Sequence, residues 1–143
     1  MTEGFSGGCL CGAVRYESAV KPVAAAHCQC EDCRKSSGSG HCSHHVVPEG
    51  AFTVTGEVQF FDKAADSGNL VSRGFCPTCG SAVYSTNDGM PGVVFPRASS
   101  IDDPEVFQPQ MVIYTKRDPS WDWIDPALVT FEGMPPPENM PDM

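Results

Sequence analysis

Basic residues are scarce in this chain. Nine lysines and arginines stand against eighteen acidic residues, a formal net charge of −9. The nine are scattered, so no cationic stripe exists to follow a phosphate backbone, and DNA and RNA are not expected partners. Long apolar runs are missing too, which excludes a helix able to cross a bilayer and sets the expectation of no membrane partner. The stretch Met1–Phe5 carries no apolar leader, so a cytoplasmic location is expected. Thirteen prolines and fourteen glycines leave little room for long helices. There is no internal repeat and no shift of composition along the chain. At 143 residues, 41% hydrophobic and 19% charged, the balance is globular and fits one domain over residues 1–143, with a core of about 7–134 and a tail at 135–143.

What the chain does have is cysteine, eight of them. Closely spaced cysteines in a cytoplasmic chain point to metal more than to disulfides. A C-x-C ring would also strain the geometry that a disulfide needs. Gly8-Cys9-Leu10-Cys11-Gly12 and Cys76-Pro77-Thr78-Cys79-Gly80 are two such loops, far apart in sequence. Proline pre-sets the turn of the second loop, and the flanking glycines supply the positive φ that a tight wrap needs. Together Cys9, Cys11, Cys76 and Cys79 make a complete four-thiolate zinc set, closed to further ligands and contributing directly to folding.

The remaining sulfurs are distributed differently. Cys28, Cys30 and Cys33 form C-x-C-x-x-C with no fourth cysteine close behind. Three protein ligands and a spare position are the mark of a reactive zinc. Cys42 has two readings, a fourth ligand or a small buried hydrophobe, and the second is the commoner fate of a free cysteine. His27, His41, His44 and His45 are further candidates to complete the site, with His27 able to orient it through its other ring nitrogen. Arg34 and Lys35, like Arg15, Arg73 and Arg97, read either as solvated charge or as hands for a substrate carboxylate.

Between these landmarks the chain reads as short strands. Apolar and polar residues alternate in Ala13–Glu17, and β-like runs recur at 41–47, 51–55, 57–61, 70–75, 81–85, 93–95 and 111–114, with Val23–His27 open between strand and short helix. Asp66-Ser67-Gly68-Asn69 and Asn87-Asp88-Gly89 read as hairpin turns, and Ser36–Gly40 as a flexible link. The expectation is a mainly β, antiparallel fold with few short helices, covered by an arm containing Trp121-Asp122-Trp123 and 131–135.

Taken together, Gly8–Gly12, His27-Cys28-x-Cys30-x-x-Cys33-Arg34-Lys35-Ser36-Ser37-Gly38 and Arg73–Gly80 resemble the glutathione-dependent formaldehyde-activating enzyme family, to which centromere protein V is similar over the same domain. The resemblance spans about Gly7 to Met134. It implies a zinc-containing β-tent of antiparallel sheets, with a structural zinc on Cys9, Cys11, Cys76 and Cys79 and a second at the working site on Cys28, Cys30 and Cys33. It also implies carbon–sulfur lyase chemistry, in which a small thiol such as glutathione adds to formaldehyde or another small electrophile. Two features depart from the family: the polar run His41-Cys42-Ser43-His44-His45, and Met111 where relatives often carry histidine. Two other readings stay open. One is a zinc-stabilised binding module with Trp121, Trp123 and Phe131 as contacts. The other is methionine sulfoxide reduction, for which Cys42 would have to be a free, reactive thiol.

Overall fold

The computed structural model describes residues 4–136 and 138. In chain order the strands are β1 (Phe5–Gly8), β2 (Arg15–Ser18), β3 (Ala24–Cys28), β4 (Cys42–Pro48), β5 (Phe52–Thr55), β6 (Gln59–Ala64), β7 (Leu70–Phe75), β8 (Ala82–Asn87), β9 (Val93–Pro96), β10 (Met111–Ile113) and β11 (Val129–Thr130). One α-helix, α1 (Glu31–Ser37), lies between β3 and β4. The strands form two sheets, a small one ordered β1-β2-β5 and a large one ordered β11-β10-β3-β4-β9-β8-β7-β6. Among the described residues no helix is long and apolar enough to cross a membrane.

Most ladders are antiparallel, but β10 runs parallel to both β3 and β11. The connection from β9 to β10 is long enough to carry the chain back to the end where β3 begins, so β10 enters the sheet in the same direction. Residues 31–37 are helical where a flexible link was expected from Ser36 onward. The helix starts on a sulfur: Cys30 is its N-cap and accepts a hydrogen bond from the Cys33 backbone N–H at 3.2 Å. Its end is set by Gly38, at φ 78°. So short a helix is stabilised by its cap and its docking rather than by propensity.

The pleat of β3 and β4 sorts residues onto two faces. Val47 points into a core shared with Phe5, Val14, Tyr16, Val83 and Val94, which joins the two sheets. Ala24, Ala26 and Cys28, with His44 and Val46, line a cavity on the opposite face. Deep in the core, the Tyr16 hydroxyl meets Ser100 Oγ at 2.7 Å. Pro135, expected at the start of a loose tail, is buried and lines the cavity wall. Residues 137 and 139–143 of that expected tail lie outside the described residues.

His45 sits on the core side with 0% exposure, its ring against Phe5 and Phe107, and neither ring nitrogen has a hydrogen-bond partner among the described residues. Burial pushes its imidazole down from 6.5 to about 4. The unfolded chain therefore takes up the proton first as pH falls, and stability that is complete above about 6.5 is lost as pH drops toward about 4. Burial lowers His27 in the same way, also to about 4. Replacing His45 with leucine removes two unmet ring nitrogens. It is expected to raise stability at neutral pH and to shrink the difference between pH 7 and pH 5 by up to about 2 kcal/mol. Urea denaturation at the two pH values measures both effects, and an unchanged pH difference would remove His45 as a source of acid sensitivity.

Candidate functional site

Two sulfur groups emerge where the sequence placed them. The turn after β1 and the turn between β7 and β8 bring Cys9, Cys11, Cys76 and Cys79 together, with all four sulfurs within 4.8 Å of one another. Cys9 Sγ and Cys11 Sγ are 3.6 Å apart, and Cys11 Sγ and Cys76 Sγ 3.8 Å. Four sulfurs at about 2.3 Å from one zinc would stand about 3.8 Å apart along each tetrahedral edge. The donor set thus fits a closed four-coordinate ion.

Local backbone geometry builds this arrangement. Gly12 at φ 84° and Gly80 at φ 77° take the left-handed conformation that lets each loop turn back on itself. Backbone N–H groups of Val14 and Thr78 donate to Cys9 and Cys76 Sγ at 3.2 and 3.4 Å. The Ser81 hydroxyl and backbone N–H donate to Cys79 and hold its thiol down, to about 5. Sulfurs dressed this way are prepared to carry negative charge.

The second group lies in the floor of the cavity, whose volume is about 290 Å³. Cys28 ends β3, Cys30 caps α1 and Cys33 faces inward from its first turn. Their sulfurs also lie within 4.8 Å of one another. Hydrogen bonds from Cys28 and Cys30 hold the Cys33 thiol well below its ordinary value, while those with Cys30 and Cys33 push Cys28 up. The trio therefore gives up its first proton readily and the others reluctantly, unless a cation arrives. No fourth histidine, cysteine or carboxylate among the described residues lies within 4.8 Å of all three sulfurs. Cys30 is the half-exposed member, while Cys28 and Cys33 are buried.

The family model described as glutathione-dependent formaldehyde-activating enzyme matches residues 4–117. The chain belongs to the glutathione-dependent formaldehyde-activating enzyme family. A relative from Halomonas elongata, named after the same family, is 31% identical over 123 residues, 82% of this chain and 78% of its own. A crystal structure of a Rhodobacter sphaeroides protein shares the fold with a TM-score of 0.57 at 15% identity, covering 88% of this chain and 98% of the other.

Of the neighbours of the cysteine trio, His44 was among the histidines named from the sequence, and Tyr114 was not. Tyr114 packs against the trio from the end of β10, in a left-handed conformation at φ 59°. His44 puts Nε2 3.5 Å from Cys33 Sγ. His27, by contrast, turns away and pairs Nδ1 with Ser43 Oγ at 2.8 Å. Of the expected covering arm, Asp122 is the inward residue, holding His41 Nδ1 at 2.8 Å and Gln29 Nε2 at 3.1 Å. Gln29 sits between Cys28 and Cys30, so Asp122 braces the turn that spaces their sulfurs. Trp121 and Trp123 face outward, 69% and 79% exposed. Lys35 pairs with Glu31 at 3.3 Å, and neither it nor Arg34 lines the cavity; Lys63 and Arg73 do.

The two sulfur groups are expected to respond differently to substitution. Cys76→Ser opens the quartet that joins the sheets, and a large loss of thermal stability, more than about 3 kcal/mol, is expected. Cys30→Ser should cost less than about 1 kcal/mol, because serine is itself a good N-cap. Thermal melts of the two purified variants decide this; equal losses would contradict the division of labour.

Proposed function

We propose that this protein is a zinc-dependent carbon–sulfur lyase, joining a small thiol such as glutathione to formaldehyde or another small electrophile. The observation that carries the reading is the cysteine trio itself: three sulfurs in the floor of a cavity, with no fourth histidine, cysteine or carboxylate among the described residues in reach of all three. Cys9, Cys11, Cys76 and Cys79 hold a structural zinc in this reading, and Cys28, Cys30 and Cys33 hold a second. Cys28, Cys30 and Cys33 would hold a zinc whose chemistry there would be to favour the ionised form of an incoming thiol at neutral pH.

The chain's own residues do the rest. The walls of the cavity are mostly apolar, with Ala24, Ala26, Val46 and Ile113 among them, and displace part of the water around the reacting pair. Holding thiol and electrophile in one cavity replaces a chance encounter with a fixed approach. Lys63 is already paired with Asp32 at 3.0 Å. Arg73 makes no ion pair with a carboxylate among the described residues, so we assign it to a carboxylate of the thiol substrate. Cys42 is only 2% exposed, which disfavours the sulfoxide-reductase reading because an attacking thiol must reach its substrate. The eight cysteines form no disulfide among the described residues, which suits a reducing cytoplasm. The whole chain acts as one unit in this reading.

Formaldehyde and thiols also combine unaided, so the test is the rate above background. The zinc-loaded protein should accelerate condensation of glutathione with formaldehyde, and Cys30→Ser should lose that acceleration while staying folded. Arg73→Met should raise KM for glutathione about ten- to a hundredfold and change kcat less. A rate no higher than the spontaneous one would instead favour a binding module, with exposed Trp121 and Trp123 as its contact surface.

A further inference from the structure

Cys42 and His44 are two residues apart on β4, so the pleat turns both toward the same face. Cys42 stands directly across from Cys28 in the β3–β4 ladder. Its sulfur lies within 4.8 Å of Cys33 Sγ, and His44 Nε2 approaches the same sulfur at 3.5 Å. The ligand atoms of Cys33, Cys42 and His44 all lie within 4.8 Å of one another. This set overlaps the cysteine trio at one atom, Cys33 Sγ. No group of four drawn from these five residues is that close, so Cys42 and His44 do not cap the trio. They form a separate triad that borrows one of its sulfurs.

A packing role alone leaves this arrangement unexplained. The neighbouring cavity positions on β3 and β4 are filled by Ala24, Ala26 and Val46, and any small apolar side chain would serve at 42. Instead a thiol and an imidazole converge on a sulfur that already belongs to a ligand set. Two thiolates and one imidazole suit a thiolate-preferring divalent cation such as zinc. A thiolate sulfur has lone pairs enough to bind two cations at once. We propose that the cavity floor is a two-ion centre, one ion on Cys28, Cys30 and Cys33 and another on Cys33, Cys42 and His44, with Cys33 Sγ as the bridge.

Charge supports the pairing. Four thiolates carry −4, and two divalent cations cancel it. The lining carboxylates Glu31, Asp32 and Asp66 are already paired with Lys35, Lys63 and Arg117, so Arg73 on the cavity wall and the buried Arg97, which donates to Ser36 Oγ at 3.2 Å, leave an excess that an anionic thiol substrate with its carboxylates would offset. The inference rests on the trio holding its own ion, as in the function proposed above.

Native mass spectrometry of the full chain, loaded with zinc and freed of excess metal, counts the ions directly. Three per chain are expected in the wild type, matching the three donor groups, and two in both Cys42→Ser and His44→Ala. Circular dichroism should be unchanged in each, and His44→Ala serves if Cys42→Ser fails to fold. Two ions in the wild type and in both variants would make Cys42 a buried filler and overturn the proposal. Two in the wild type and one in Cys42→Ser would make Cys42 a cap on the trio and overturn it as well. Cys30→Ser reports separately on the trio's ion. If its count equals that of the wild type, the trio reading fails, whatever Cys42→Ser shows.

Discussion

The two sheets of this protein are joined at a sulfur seam. One pair of cysteines sits in the turn that leaves β1, in the small sheet, and the other in the turn between β7 and β8, in the large one. Leu10 N–H donates to Ser81 Oγ across the same seam at 3.1 Å. Farther along, Arg15 Nη1 meets Asp102 Oδ1 at 2.9 Å, an exposed pair of small worth beside the seam. Between the seam and the Arg15–Asp102 pair lies the apolar core around Tyr16 and Val47. The cavity lies on the far face of the large sheet.

Much of this was legible from spacing and punctuation. C-x-C followed by C-P-x-C-G announced two loops that bend back on themselves, and Gly12 and Gly80 do adopt the positive φ their positions imply. Leu70–Phe75 is a strand over the residues that the pattern marked. The helix escaped because its cap is a thiol, a residue type absent from the usual N-cap list, and because Ser36 and Ser37 read as linker. The run at 41–47 was read as a strand, yet which of its side chains face the cavity depends on its register with β3, and that pairing is non-local. His44 could be singled out only once Cys42 was seen opposite Cys28.

Tyr114 and Asp122 were hidden for a different reason. Each reaches the cysteine trio through chain reversals late in the sequence, where β10 comes in parallel to β3 and residues 119–123 fold over the turn at Gln29. Spacing rules describe neighbours in the chain, and these two are neighbours only in space. The same holds for Arg73, one of five arginines and lysines that could be named as substrate hands but not ranked.

Cys30 has a double attachment, as a member of the trio and as the atom on which α1 begins. It is also the trio's one half-exposed sulfur. In the function proposed above, the cavity would therefore show an aldehyde the thiol on which the helix also depends. A thiol adds to an aldehyde reversibly, as a hemithioacetal, so such an adduct would take Cys30 from the trio and crowd the cap of α1 only while it lasted. A cation on that sulfur would double as its protecting group.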